Sequence, residues 1–364
     1  MGASTSTGWA SDSHSYDGNG VVAQFGTGKN PCVAIITGID GVNIPDKTES
    51  SFKSKCENIS HTAGNGYNTA MMLGVAKMFK EAEKQIDGTV KIIFQPKHES
   101  EEGAQQMIKE GVLTQSPQVD YMIGAQIDTK YETGKIVSTP GTFFGYKQTF
   151  KVTIQGRGGH SGVQTYAVDP IPPMATLFTK LSDYYAREVH FMPENIAFVT
   201  VGDVQSYNNA TNVIPDKTSM TGTIRTYTMK AMEDSIKRIT EMAKNIAMSY
   251  NCNASFKKIG DITPPIENDQ TTYKVFEEAV STASKKIEPS EPQLISSDFS
   301  YYYKSVPGVH FIVGAGDQNS FPMYSPYFAA DPNSLVHGAA MITHATMKTM
   351  NHHNKDTEGN KDEL

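Results

Sequence analysis

Short apolar runs alternate with segments of helical period along the first third of the chain, and that alternation most limits the folds open to it. Residues 21–25 and 32–36 read as strands around the turn Gly26-Thr27-Gly28-Lys29-Asn30. Residues 69–83 place Met71, Met72, Val75, Ala76, Met78 and Phe79 at helical spacing, and Gly88 stops them. Residues 90–94 are continuously apolar, as in a strand buried on both faces. A short helix over 103–110, ended by Gly111, and a strand over 119–124 follow. Strand, helix, strand, helix predicts an α/β architecture, a mainly parallel sheet covered by helices.

From about Tyr146 the rhythm changes. Strands over 150–155, 196–201, 220–227 and 254–259 interleave with helices over 170–187 and 229–250. That is β-α-β-β-α-β, the ferredoxin-like split motif. After Pro264-Pro265 the earlier pattern resumes with a helix over 271–287, a strand over 309–313 and a helix over 334–350. The expectation is a discontinuous α/β domain, residues 1–145 and 261–350, around an inserted ferredoxin-like domain, residues 146–260. Residues 1–20 read as a flexible lead-in and 351–364 as a disordered tail.

Composition narrows the functional classes. The chain has 364 residues and a net charge of -7, with no basic stripe to grip a phosphate backbone, which argues against nucleic acid as a partner. No apolar run approaches the ~20 residues that span a bilayer. The C-terminal Lys361-Asp362-Glu363-Leu364 is the retrieval signal of the endoplasmic reticulum lumen. Sequons at Asn58, Asn209 and Asn253 add modest support, and the missing apolar signal core at Met1 implies a mature form without its leader. Cys32, Cys56 and Cys252 match no zinc knuckle and read as isolated thiols, or at most one disulfide.

Five motifs of the inserted domain come in order: Gly156-Arg157-Gly158-Gly159-His160-Ser161, Ala167-Val168-Asp169-Pro170, Val199-Thr200-Val201-Gly202, Asn212-Val213-Ile214-Pro215 and Gly222-Thr223-Ile224-Arg225-Thr226. The series resembles the lid, or dimerisation, domain of the aminoacylase-type di-zinc metallopeptidases. The nearest branch holds hippurate hydrolases and plant auxin-conjugate amidohydrolases, whose plant members often end in a retrieval signal. The resemblance spans roughly residues 18–350, without the family's first helices. It implies a carboxylate-rich pocket where two zinc ions activate a water and polarise an amide carbonyl, with a glutamate as general base.

This chain departs from the ligand segments of that branch. In His61-Thr62-Ala63-Gly64-Asn65-Gly66-Tyr67-Asn68, Ala63 stands for a ligand Cys and Asn65 for a ligand His. In Pro96-Lys97-His98-Glu99, His98 replaces the base while Glu99 keeps the ligand glutamate. Gln126 and Tyr324 replace two further histidines. Ala offers zinc nothing, and Asn, Gln and Tyr are weak neutral donors, so no cofactor is expected. No Gly-x-Ser-x-Gly elbow or His-Glu-x-x-His helix supplies another chemistry.

His160, Asn212 and Arg225 match family positions that bind substrate or steady an oxyanion. The candidate catalytic residues of a rebuilt metal-free site are His98, Glu99, His160 and Tyr324, and the candidate substrate contacts Asp40, His61, Asn65, Asn68, Gln126, Asn212, Arg225 and Asp298. The replacements are all polar, as a pocket rebuilt for a polar ligand would be. Plainer readings stay open: His160 as a turn residue, Arg225 in a strand-end salt bridge, Asn212 as a turn cap. Three functions follow. One is metal-free acid–base chemistry on a small amine, amino-acid conjugate or alkaloid-like metabolite, or its decayed, inactive form. Another is a binding or regulatory protein, a homodimer or heterodimer through the lid domain. The last is a residual amide hydrolase.

Overall fold

A computed structural model of the chain describes residues 12–16, 20–188, 192–208 and 210–359. Its strands in chain order are β1 (Asp12–Tyr16), β2 (Gly20–Gly26), β3 (Cys32–Gly38), β4 (Thr89–Gln95), β5 (Tyr121–Glu132), β6 (Ile136–Ser138), β7 (Gly141–Phe144) and β8 (Tyr146–Gln155). Then come β9 (Gly159–His160), β10 (Ala197–Ser206), β11 (Val213–Ile214), β12 (Lys217–Thr226), β13 (Asn253–Thr263), β14 (Ile266–Asn268), β15 (Ile287–Pro289) and β16 (Gly308–Gly316). The α-helices are α1 (Asn65–Glu81), α2 (Gly103–Lys109), α3 (Ile171–Arg187), α4 (Met229–Ser249), α5 (Gln270–Thr282), α6 (Ser300–Ser305) and α7 (Asn333–Gly359).

Two compact units result. The larger comprises Met1–Phe143, Ile266–Glu291 and Ser297–Leu364, the smaller Phe144–Pro265 and Pro292–Ser296. The smaller unit therefore starts two residues earlier and ends five later than its sequence pattern indicates, and it also takes in the strap 292–296. Arg225 and Tyr227 hydrogen-bond that strap, at Leu294 and Ser296 and at Pro292 respectively, and so draw it in.

The larger unit is built on an eight-stranded mixed sheet in the order β1-β2-β4-β3-β5-β16-β6-β15. β3 lies between β4 and β5, parallel to both, and every one of its residues is buried. Its run of apolar residues has that cause: with a neighbour on each edge and side chains covered on both faces, no position faces water. Met71, Val75 and Phe79 of α1, Phe276 of α5 and Ile342 of α7 share one core with the sheet. The smaller unit has a four-stranded antiparallel sheet, order β10-β12-β8-β13, with α3 and α4 packed on it. Met174, Leu177, Leu181 and Tyr184 line the buried stripe of α3 and share one core with Phe150, Val152 and Ile154 of β8. Its connectivity is the β-α-β-β-α-β of the sequence pattern.

Three expectations are corrected. Residues 12–16 of the lead-in pair antiparallel with β2, while residues 1–11 and 17–19 lie outside the described residues. The tail is helical to Gly359 rather than disordered from 351. His353 there meets the Tyr121 hydroxyl at 3.1 Å and Asn354 donates to the Asp87 carbonyl at 3.1 Å, contacts no local pattern reveals. Residues 361–364 and the sequon residue Asn209 are outside the described residues. The helix expected to reach residue 287 stops at Thr282, and β15 follows.

Candidate active site

The ends of β3 and β4 and the start of α1 bring the substituted segments together in the larger unit. Gly38 closes β3, and a Cβ there would meet the His98 ring at 2.9 Å, so the glycine makes the space that the imidazole fills. Phe299 stacks on that ring, centroids 4.2 Å apart. His98 Nδ1 donates to Asp298 Oδ1 at 2.6 Å, and Asp298 Oδ2 accepts from Gln95 Nε2 at 2.6 Å and the Ala104 N–H at 3.0 Å. Asp298 is 0% exposed and surrounded by these donors. Expected as a substrate contact, it is instead the buried partner that fixes the His98 ring and its tautomer, because no solute reaches it.

Burial alone pulls the His98 pKa down. The hydrogen bond and charge of Asp298, then the charges of Glu99 and Asp40, outweigh that and raise it above the ordinary imidazole value. Nε2 of His98 has no hydrogen-bond partner among the described residues, and the side chain keeps 16% exposure. A ring with one nitrogen anchored on a buried carboxylate and the other open is arranged to pass a proton.

Glu99 is held by Asn65 and Tyr324, two of the residues expected in place of metal ligands. Asn65 Nδ2 donates to its Oε1 at 2.7 Å, and the Tyr324 hydroxyl donates to its Oε2 at 3.1 Å. Asn65 Nδ2 also reaches the Asp40 carbonyl at 3.3 Å, so its amino group faces two acceptors. Tyr324 holds a left-handed backbone, φ 64°, which a bulky residue adopts at a cost of about 1–3 kcal/mol. Its N–H donates to the Thr62 carbonyl at 2.7 Å, which fixes the turn. Asp40 accepts the Lys97 N–H at 2.8 Å and the Glu99 N–H at 3.0 Å, so its carboxylate shapes the loop that carries His98 and Glu99.

The remaining expected residues fall in several places. His61 is exposed, and its Nδ1 donates to the Asp40 carbonyl at 3.0 Å. Asn68 is buried, and its Oδ1 accepts the Ile127 N–H at 3.0 Å, a link between α1 and β5 rather than a free group. Gln126 is half-buried on β5, opposite Ile312 of β16. In the smaller unit, His160 is exposed, pairs with Val213 and accepts the Gly162 N–H at 3.0 Å. Asn212 accepts the Ser161 N–H through its carbonyl at 3.0 Å. Arg225 donates to the Leu294 carbonyl at 3.0 Å and Ser296 Oγ at 3.1 Å. Sequence reasoning missed Gln95, whose only signal is a polar residue ending a buried apolar strand.

A di-metal centre needs several acceptors converging on one point. Among the described residues no group of three or more His, Cys, Asp or Glu side chains is placed to hold a metal ion. The single retained carboxylate faces the N–H of Asn65 and the O–H of Tyr324, two donors where ligands would stand. The residues present do not fit the pair of zinc ions.

The chain matches the profile of Peptidase family M20/M25/M40 over residues 34–348. It belongs to that family. This M20-family chain is 31% identical to IAA-amino acid hydrolase ILR1-like 5 of Arabidopsis thaliana, over 95% of its own length and 79% of the relative's. It is 29% identical to N-acetylcysteine deacetylase of Bacillus subtilis (strain 168), over 87% of the chain and 81% of that protein. The crystal structure of the Bacillus subtilis YXEP protein, described as a dinuclear metal binding peptidase, superposes with a TM-score of 0.76 at 25% identity, covering 92% of this chain and 85% of that one.

Proposed function

We propose that this M20-family chain acts on a small amide- or amine-bearing metabolite, an amino-acid conjugate or alkaloid-like molecule, by acid–base chemistry that needs no metal ion. The observation that carries the reading is the His98–Asp298 pair at 2.6 Å beside a Glu99 carboxylate held by Asn65 and Tyr324. His98, its pKa raised by the hydrogen bond and charge of Asp298, gives a proton from Nε2 to a leaving or basic group of the substrate. Glu99 and the Tyr324 hydroxyl orient the polar end of the substrate. The relatives act on IAA-amino acid and N-acetylcysteine substrates by name, which makes N-acyl amino acids the first class to try.

The test is a panel of N-acetyl and indole-3-acetyl amino acids and simple aromatic amines, incubated with protein dialysed against EDTA. Turnover in chelator that His98→Ala abolishes is the expected result. Activity that disappears in EDTA and returns with zinc overturns the proposal in favour of residual amide hydrolysis. Elemental analysis of protein purified without chelator decides in parallel: two zinc ions per chain contradict the metal-free reading, and fewer than about one excludes the two-metal mechanism.

A second reading is a binding protein that pairs with another chain through the smaller unit. Arg225, expected to clamp a substrate, is engaged within its own unit, while His160 is exposed on its turn and open to a partner. Sedimentation that finds a monomer, alone and with active relatives, eliminates it.

A further inference from the structure

A cavity of about 650 Å³ lies in the larger unit, bordered by Phe52, Tyr67, Phe328 and Leu335, with Asp46 in its wall. It reaches His61 and Thr62, the residues that also touch Asp40 and Tyr324, but His98 and Glu99 are not part of its lining. Its chemistry differs from that of the Glu99 cluster.

Three aromatic rings form one group here. Phe52 and Tyr67 meet edge to face with centroids 5.9 Å apart, and Tyr67 and Phe328 do the same at 5.9 Å. Asp46 Oδ1 accepts the Thr48 N–H at 2.9 Å and its hydroxyl at 2.6 Å, and Oδ2 accepts the Ser54 N–H at 3.0 Å. Burial alone raises the Asp46 pKa. These hydrogen bonds, with the charge of Lys53, outweigh it and hold the carboxyl below the ordinary carboxylate range. The group is therefore an anion at neutral pH, and its bonds shape the same loop that presents Phe52. No Lys or Arg lines the cavity, and His61 is its only basic side chain. Beyond His61 lie Asp40 and Glu99, joined by Asn65.

Aromatic faces attract a cation within about 6 Å of the ring centroid, in addition to the apolar contact they offer any ligand. A fixed carboxylate among them repels an anion and stabilises a cation. We infer that this cavity takes a small organic ammonium carrying an apolar group, and that it seats the cationic part of the metabolite handled at the neighbouring cluster. The inference rests on the small-molecule reading above and names its charge.

The experiment is calorimetric titration of the full-length protein with benzyltrimethylammonium chloride, and with benzyl alcohol as the neutral probe. The cation is expected to bind more tightly. Asp46→Asn is expected to weaken the cation by about fivefold or more and leave benzyl alcohol unchanged. Asp46 also holds its loop, so a loss of both probes in that variant would reflect a collapsed loop. Phe52→Ala covers that case: Phe52 is 60% exposed, its removal leaves the Asp46 hydrogen bonds intact, and it is expected to weaken the cation similarly. Equal affinity for the two probes, no binding of either, or cation affinity unmoved by Phe52→Ala overturns the inference. His98→Ala separates this from the proposed function. Cation binding is expected to survive it, so turnover that needs His98 without cation binding sinks only the present inference. Cation binding without His98-dependent turnover sinks only the proton-transfer reading.

Discussion

At the scale of single residues, the informative pair is His98 with Asp298. An isolated histidine is a weak signal, but one anchored at 2.6 Å on a carboxylate with two further donors is a built arrangement. Asp298→Asn removes the charge that, with its hydrogen bond, offsets burial, so the His98 pKa is expected to fall. A proton NMR titration of the imidazole in both proteins measures it. The sign of the stability effect follows. Because the folded pKa is raised, the ion pair contributes fully below the unfolded imidazole value near ~6.5 and is lost as pH rises through the folded value. Urea melts of the two proteins are expected to differ most in mildly acidic buffer and to converge in alkaline buffer. Melts that coincide in mildly acidic buffer and diverge in alkaline buffer contradict the pairing. His98, Glu99, Asn65 and Tyr324 could be proposed from sequence because their flanking residues keep a recognisable order. The partnership was not, since Asp298 sits 200 residues away and its burial is a property of the fold.

At the scale of elements, β5 and β16 show how one missing side chain organises a core. Gly124 pairs with His310 across the two strands, and a Cβ at Gly124 would overlap the Tyr303 hydroxyl and the His310 ring. The hydroxyl donates to the Val309 carbonyl at 3.2 Å and accepts from His310 Nδ1 at 3.1 Å. Burial, helped by the nearby His98 charge, pushes the His310 pKa down to about 3, so this histidine stays neutral. Gly124→Ala is expected to destabilise the protein by about 1–3 kcal/mol or more through overpacking, measured by chemical denaturation. An unchanged midpoint means the two strands separate freely. Deleting the chain after residue 351 is expected to lower the melting temperature by a few degrees, since it removes His353 from Tyr121 and Asn354 from Asp87. The long apolar strands and amphipathic helices were readable because periodicity acts over many residues. β6, β14 and β15, three residues each, carry no period, and β1, Asp12–Tyr16, has no apolar alternation. The end of α7 is polar throughout and owes its order to distant partners.

At the scale of the molecule, each of the two units has its own buried core. Among the described residues no helix is long and apolar enough to cross a membrane. A ligand that binds the folded state raises the melting temperature by mass action, so a fitting zinc pair would do so strongly. Zinc chloride at a few equivalents is expected to leave the thermal melt of EDTA-treated protein unchanged. A shift of several degrees would show that a ligand set assembles after all. We also propose residence in the endoplasmic reticulum lumen on the strength of residues 361–364. Removing those four residues from a secretory-expressed form is expected to release it into the medium, with glycan at Asn58, which is exposed. Retention without them counts against it.

The left-handed turn at Tyr324 sets stability and chemistry against each other at one position. Glycine and asparagine accept that backbone readily, tyrosine does not. A library selected only for heat resistance will therefore drift there toward Gly or Asn and discard the phenol that grips Glu99. A library selected for turnover will keep the less comfortable residue, so the two selections diverge at this codon.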